Sequence, residues 1–547
     1  MRGLMQQSPL DVSALMRRVE QLFGHKRVIT ATTTGEVVAS WADVVRRARR
    51  LAAVLDSLDV PRQARVGTFG WNSQRHVELY LAAPSSGRVL HTLNHRLFAE
   101  EIVHIVNDAA DDVLFVDRSL MPRVWPLVDR LPTVRTVVVM DDGGPADPPD
   151  DPRIADYEDL LSGVREPAAP AAVDEDDAAG LCYTSGTTGL PKGVLYSHRS
   201  IVLHALMLLG VDNFAIGERD VVMPIVPMFH VNAWGLPYAA MLAGSDLVLP
   251  GPAMAPEQLI EQMARHRVTF SAAVATIWRG LQPLLGTADL TSLRMVISGG
   301  GALPGTLTRA WQDGAGIPLT NAWGMTETSP VVTCARLATV HDGLDADARR
   351  EVLRKPGPPL PLTEIRIVDE AGVPVAGERV AGELQATGPT VASAYFGAEP
   401  APSSFTADGW LRTGDVGALD RYGYLEIIDR TKDMVKSGGE WISSVQLENE
   451  IMAHPAVHEA AVIAVGDERW GERPLACVVL VPGESLDEQD LRAHLAGSVA
   501  SWWIPERILV VDEIPKTATG KFSKVSLRAL VQARETAEQP PQERLGA

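Results

Sequence analysis

Short apolar runs alternate with amphipathic stretches along the first three hundred residues of the chain. Residues 11–56 read as helix, strand and helix, with Leu15, Val19 and Leu22 on one helical face. A βα alternation then begins, with strands predicted at 64–69, 89–93, 112–116 and 135–140 and helices at 76–82 and 99–107. A second alternation runs through helix 199–209, strand 221–225, an apolar helix near 233–243 and strand 246–249. It continues with helix 256–266, strand 268–270, helix 276–285 and strand 294–298. Such alternation implies parallel or mixed sheets covered on both faces, and two runs of it imply two packed sheets with a cleft between them. From about 355 the grammar changes. Segments 364–368, 382–386, 410–413 and 423–428, separated by Gly/Pro turns, predict a small antiparallel, β-barrel-like unit. Beyond the charged, turn-rich stretch 429–433, a candidate hinge, a compact α+β module follows. Its helices are predicted at 445–453 and 487–496 and its strands at 460–464, 476–480 and 507–511. Residues beyond Ala533, with Pro540-Pro541, are expected to fray. The fold class is α/β.

Composition narrows the function without naming it. The 547 residues are enough for several domains or one multi-lobed unit, and 46% hydrophobic with 22% charged content is ordinary for a soluble globular protein. A net charge of −19 disfavours non-specific nucleic-acid binding, so no nucleic-acid partner is expected. Three scattered cysteines argue against a disulfide framework or a structural zinc site and fit a reducing cytoplasm. The N-terminus lacks the apolar core of a signal peptide, and no stretch offers the roughly 18 uninterrupted apolar residues of a membrane span.

The chemistry concentrates in a few loops. Tyr183-Thr-Ser-Gly-Thr-Thr-Gly-Leu-Pro-Lys-Gly193 gathers hydroxyls, glycines and Lys192. Glycines permit close backbone approach, freed N–H groups bind anions, and a lysine adds a point charge suited to phosphate. A polar surface loop is the plain alternative. A Walker A loop is excluded, because Leu190 and Pro191 separate Gly189 from Lys192. The flanks also read as strands, which predicts a hairpin-like turn. In Asn321-Ala-Trp-Gly-Met-Thr-Glu-Thr-Ser-Pro330, Trp323 offers a flat face to a purine and Glu327 an oxygen ligand to Mg²⁺. A core tryptophan and a solvated glutamate are the alternatives. Ser298-Gly-Gly-Gly-Ala-Leu-Pro304 fails as a dinucleotide fingerprint, since Pro304 takes the third glycine position. It retains the backbone access an adenine needs. Asp415 and Arg430 could clamp ribose hydroxyls, or be a turn aspartate and a surface arginine. Lys436-Ser-Gly-Gly-Glu-Trp441 is a second glycine turn with a cation, suited to phosphate or a pantetheine chain, and Lys521 follows a glycine turn near the C-terminus.

Taken in order, these stretches resemble the adenylate-forming superfamily of acyl-CoA synthetases, nonribosomal-peptide adenylation domains and firefly luciferases. The resemblance covers nearly the whole chain, and Lys436-Ser-Gly-Gly-Glu-Trp-Ile-Ser-Ser444 looks most like the fatty-acid and methylmercaptopropionate CoA ligase branch. It implies an AMP-binding domain over residues 1–430, a mobile lid over 431–533 and a frayed tail over 534–547. It also implies two half-reactions: a carboxylate attacks the α-phosphate of ATP, and a thiol then attacks the acyl-adenylate. On that resemblance Lys521 serves the α-phosphate and carboxylate, while Thr184, Ser185, Gly186, Thr187, Thr188, Gly189 and Lys192 hold the β- and γ-phosphates. Thr184 and Glu327 hold Mg²⁺. Gly300, Gly301 and Ala302 border the adenine with Trp323 stacked on it, Asn321, Ala322, Gly324, Met325 and Thr326 also belong to the nucleotide site, and Asp415 and Arg430 take the ribose. Lys432 and Asp433 belong to the hinge. Lys436, Gly438, Gly439, Glu440 and Trp441 swing toward the CoA thiol.

The acid pocket is expected from Val226-Pro-Met-Phe-His-Val-Asn-Ala-Trp-Gly235 with Gly299 and Met325: His230 gates the carboxylate, and Val231 and Trp234 line the pocket. His230 could equally be a satisfied core histidine. The apolar lining suggests an uncharged aliphatic or aryl acid, the bulk of Trp234 points to short or medium chains, and with no aspartate in 228–234 an α-amino acid is disfavoured. Ser393-Ala-Tyr-Phe396 departs from the family pattern, which often has glycine before the aromatic pair. An acid:CoA ligase is the leading expectation; an adenylating enzyme serving a carrier protein or an amine is the alternative, and a silent nucleotide-binding or luciferase-like protein a third. A homodimer is left open.

Overall fold

The computed structural model describes every residue except Arg2, Glu166, 185–190, Ala376, Pro400, Gly439, 518–520 and 539–547. Two large sheets form the N-terminal domain. Seven strands lie in the order Ile154–Asp156, Thr136–Met140, Asp111–Asp117, Arg65–Phe69, Val89–Thr92, Ala178–Tyr183 and Gly193–Ser197. All pair in parallel except the last two. Eight more run Val331–Cys334, Leu319–Gly324, Met295–Gly299, Phe270–Ala273, Val221–Pro224, Asp246–Leu249, Arg27–Thr32 and Gly35–Ser40, parallel inside and antiparallel at both ends. Helix Gln74–Ser85 is buried at every residue but Arg75 and touches strands of both sheets. Helix Leu236–Ala243 is buried throughout. Leu236–Ala243 is apolar on all sides and can only sit inside, whereas Gln74–Ser85 buries polar residues that are hydrogen-bonded, Gln74 to Glu78 and His76 with the Trp71 carbonyl; both helices contribute to the main core.

The expected β-unit is a four-stranded antiparallel meander, Glu364–Val368, Gly382–Thr387, Leu411–Leu419 and Leu425–Arg430. The C-terminal module is a five-stranded sheet with its own apolar clusters. Among the described residues no helix is long and apolar enough to cross a membrane. All three cysteines are free and buried.

Some expectations need correction. The single strand expected between the first two helices is a hairpin, Arg27–Thr32 with Gly35–Ser40. Strand 268–270 starts instead at Phe270, because Arg267 turns left-handed and the Val268 N–H closes helix Pro256–Arg265 on the Met263 carbonyl. The apolar helix near 233–243 starts at Leu236, behind a left-handed Gly235 and with Pro237 in its first turn. The last helix runs Lys524–Glu538, past Ala533, so the start of the expected frayed tail is helical.

Candidate active site

The hydroxyl-rich loop leaves a hairpin, as its flanks suggest. Strands Ala178–Tyr183 and Gly193–Ser197 pair antiparallel with Tyr183 opposite Gly193. The Thr184 N–H then donates to the Lys192 carbonyl at 2.9 Å, and the Lys192 N–H to Thr184 Oγ1 at 3.4 Å. The roles expected of Ser185, Gly186, Thr187, Thr188 and Gly189, and of Gly439 in the later turn, fall outside the described residues. From the exposed foot of the loop, Lys192 Nζ lies 4.8 Å over the Tyr395 ring. The Tyr395 hydroxyl in turn donates to Glu327 Oε1 at 2.8 Å. Glu327 is buried, and burial pushes its carboxyl up against the pull of that hydroxyl. Lys192 and the candidate metal ligand Glu327 are thus joined through one aromatic residue. Ala394 is not among the residues at positive φ, so alanine is unstrained at this departure from the family pattern.

The opposite wall is built by two adjacent parallel strands. Ser298 and Gly299 of Met295–Gly299 pair with Asn321 and Ala322 of Leu319–Gly324. Gly300 follows at φ +77°, with Gly301 and Ala302 exposed beyond it. Asn321 Nδ2 donates to the Arg354 carbonyl at 2.8 Å, and Trp323 Nε1 to Asp415 Oδ2 at 2.8 Å. The other Asp415 oxygen faces Arg430 Nε at 3.2 Å, and the two residues are cross-strand partners in the meander. Trp323 therefore does more than offer a flat face: its N–H helps to fix the carboxylate expected to take the ribose. A Cβ on Gly324 would stand 1.9 Å from the Pro330 carbonyl oxygen, so only glycine fits there. The Met325 N–H is held by Thr328 Oγ1 at 3.0 Å, and the Thr326 carbonyl by the Tyr196 hydroxyl at 2.8 Å.

Lys521 enters from the C-terminal module. Lys516 and Phe522 bridge as an antiparallel pair, and the Thr517 N–H donates to the Lys521 carbonyl at 2.6 Å. This turn carries Lys521 across to Gly300, where a Cβ would stand 2.8 Å from Lys521 Cε and 3.2 Å from Nζ. Burial, and then the nearby Arg430 charge, pull its ammonium down to about 8, against the attraction of Asp415 and Glu327. Burial first and the Lys521 charge second hold His230 down at about 3, so its imidazole is neutral. Lys521, Glu327, Asp415, Arg430 and His230 share one electrostatic neighbourhood despite wide separation in sequence.

The acid-pocket stretch has unusual backbone geometry. Val231, Asn232, Ala233 and Trp234 all have positive φ, 46° to 56°, forming one buried left-handed turn directly after His230. For L-residues this costs about 1–2 kcal/mol each. The turn drives the Trp234 ring onto Gly299, whose Cβ would stand 2.8 Å from Trp234 Cη2. Met325, just after strand Leu319–Gly324, is half-buried, and a small cavity behind the turn is lined by Tyr196, Ile201, His204, Asn232 and Tyr238.

The residues expected at the hinge lie elsewhere. Lys432 is exposed, and Asp433 pairs with Arg528 at 2.9 Å. Lys436 Nζ sits 5.1 Å over the Trp441 ring, the left-handed Gly438 donates its N–H to the Trp470 carbonyl at 2.8 Å, and Glu440 is exposed. These contacts, with Glu472 and Arg473, hold the hairpin on its own module. Trp441, Trp470 and Trp502 each expose about 40% of their surface around it.

Two features escaped the sequence. Tyr395 was visible only as part of a departing tetrapeptide, and no spacing rule links it to Glu327. Asp429 accepts from the Ser444 N–H and hydroxyl at 2.5 and 2.7 Å, while Lys524 pairs with the buried Glu448 at 2.6 Å and donates to Ser444. Asp429, Glu448 and Lys524 come from separate stretches of the chain, and no sequence spacing links them.

Comparison with known proteins accords with this geometry. Residues 17–396 match the AMP-binding enzyme family and residues 446–521 its C-terminal domain. The chain is 44% identical to a long-chain-fatty-acid–CoA ligase of Thermus thermophilus, covering 96% of both sequences. It is 42% identical to a 3-methylmercaptopropionyl-CoA ligase of Ruegeria pomeroyi, covering 96% of this chain and 98% of that one. Among solved structures, an anthranilate CoA ligase in complex with anthranoyl-AMP superposes with a TM-score of 0.86 at 26% identity, covering 97% of this chain and 99% of the other. The same order of elements, matched over almost the entire length, places this chain in the AMP-binding enzyme family.

Proposed function

We propose that the protein is an ATP-dependent, AMP-forming carboxylic acid–CoA ligase. Its carrying observation is the meeting of Lys521, from the C-terminal module, with Gly300, Glu327, Asp415, Arg430 and neutral His230. Carboxylate and triphosphate repel each other, so a site that joins them must supply fixed positive charge and alignment. The carboxylate oxygen attacks the α-phosphorus, the bond to the β-phosphate oxygen breaks, and pyrophosphate leaves. Lys521 bridges the entering carboxylate and the α-phosphate, Lys192 and the loop hydroxyls hold the departing phosphates, and Trp323, Asp415 and Arg430 fix the nucleoside. Mg²⁺ fits Thr184 and Glu327, a hydroxyl and a buried carboxylate that gains from a cation, and it would neutralise charge on the leaving group. His230, neutral at physiological pH, packs against the acid without adding charge.

In the second half-reaction the CoA sulfur attacks the acyl carbon, the bond to AMP breaks, and the thiol proton goes to solvent. Lys521 is no longer needed, and residues 431–533 turn about Lys432 as a lid relative to residues 1–430, bringing the Lys436–Trp441 hairpin forward. Exposed tryptophan faces beside Lys436 suit the adenine and phosphates of CoA. The apolar stretch around Trp234 and Gly299 favours an uncharged aliphatic or aryl acid of short or medium length. Incubation with ATP, Mg²⁺ and a panel of acids, with and without CoA, tests this. AMP together with acyl-CoA is expected. Adenylate without CoA turnover would point to another acceptor, and no AMP with any acid would refute the proposal.

A further inference from the structure

Arg279 is not used by the chemistry above, yet it spans the two parts of the molecule. It lies on helix Ala275–Leu281, directly behind the strand Phe270–Ala273 whose end faces the site. Val274, between strand and helix, lies 3.6 Å from the Cβ position of Gly300. The helix is pinned to the large sheet by buried Trp278, whose Nε1 donates to the Ala273 and Ile297 carbonyls at 3.1 and 3.0 Å. From this fixed base the Arg279 guanidinium reaches into the C-terminal module, donating to the His458 carbonyl and to Met452 Sδ at 3.4 Å. The next residue, buried Glu459, holds Lys516 Nζ at 2.8 Å, and Lys516 opens the turn that ends at Lys521. A chain of direct contacts therefore runs from a rigid helix of the large domain to the lysine beside Gly300.

We propose that Arg279 is a positioning residue for adenylation: it clasps the C-terminal module through His458 and Met452 and so fixes, by way of Glu459 and Lys516, the turn that delivers Lys521. This rests on the ligase function proposed above, in which the module leaves the site between half-reactions. Because the helix is pinned and His458 travels with the module, the clasp must open for the second half-reaction. Its guanidinium gives up water when the clasp closes and regains it on opening, which keeps the contact reversible on each turnover. Arg279 therefore favours one half-reaction only.

The test compares Arg279→Ala and Arg279→Lys with wild type in acid-dependent ATP–pyrophosphate exchange and in thioester formation from supplied acyl-adenylate. Losing a hydrogen bond from a charged donor predicts a drop of about ten- to a hundredfold in exchange for Arg279→Ala. Thioester formation should stay within about twofold, and Arg279→Lys should recover part of the loss because an ammonium still reaches one carbonyl. Exchange at the wild-type rate, or an equal fall in both half-reactions, would overturn the proposal. Spin labels at Glu257→Cys and Gln489→Cys, both at exposed positions, report the orientation independently of turnover. Arg279→Ala should shift or broaden their distance distribution, and an unchanged distribution overturns the clasp. A wild type that exchanges pyrophosphate with no acid would sink the ligase function instead, and the label distances would still judge the clasp.

Discussion

Gly300→Ala separates the two half-reactions by a single methyl group. Gly300 sits at φ +77°, where an alanine costs about 1–2 kcal/mol of backbone strain. The new Cβ would stand 2.8 Å from Lys521 Cε and 3.2 Å from Nζ. Carbon atoms settle at about 3.5–4 Å, so the lysine terminus must retreat by roughly 0.7–1.2 Å. Because that terminus is flexible, the retreat itself adds little to the folding cost, and a chain of this size should lose only a few degrees of Tm. At reacting atoms the same displacement is severe: about 1 Å of misplacement costs on the order of a hundredfold in rate. Pyrophosphate exchange should therefore fall about a hundredfold while thioester formation from supplied acyl-adenylate stays near wild type. Since the adenylate uses the same adenosine site, an intact second half-reaction also shows that the methyl has not closed the nucleotide pocket. Exchange at the wild-type rate in a well-folded Gly300→Ala protein would falsify the placement of Lys521.

Lys521→Ala should abolish exchange and spare thioester formation from supplied adenylate; near wild-type exchange would refute its role. The lowered pKa of Lys521, about 8, means that its charge is present below that pH and lost above it. Exchange should decline with a one-proton dependence as pH rises through about 8, and Lys521→Arg, if active, should lose that limb. The unfolded chain keeps this proton to about 10.5, so the group's cost to folding is full below pH 8 and relieved as pH rises from 8 toward 10.5. Tyr395→Phe removes the hydroxyl donated to Glu327 and should raise the Mg²⁺ concentration for half-maximal exchange about tenfold, in the range seen for residues supporting metal ligands. An unchanged Mg²⁺ titration would exclude a metal-supporting role for Tyr395. Trp234→Ala frees the space against Gly299 and should move the preferred acid toward longer or bulkier chains, read as a reordering of kcat/KM across an acid series.

The alternation of apolar runs carried the two sheets, the meander and the C-terminal module, because each strand's burial is written locally in its side chains. The hairpin around the phosphate loop was legible for the same reason: Leu181-Cys-Tyr and Gly193-Val-Leu-Tyr are both apolar and flank a loop without helix signals. What stayed hidden depends on long-range meeting. Trp323 and Asp415 are 92 residues apart and Arg279 and His458 are 179 apart, and no periodicity links such pairs. The left-handed turn at 231–234 was equally invisible, since valine, asparagine, alanine and tryptophan carry no glycine to announce positive φ.

That turn bears on how acid preference can be redesigned. Four consecutive non-glycine residues in a disfavoured conformation make it a place where glycine is the thermodynamically easier choice, even though glycine usually weakens a fold. A combinatorial library across 231–234 will thus reward glycine in any screen for stability, and those winners will have traded away the rigidity that aims Trp234 at Gly299. Selection for a new acid should be run on catalytic output, with thermal tolerance supplied by changes elsewhere in the chain.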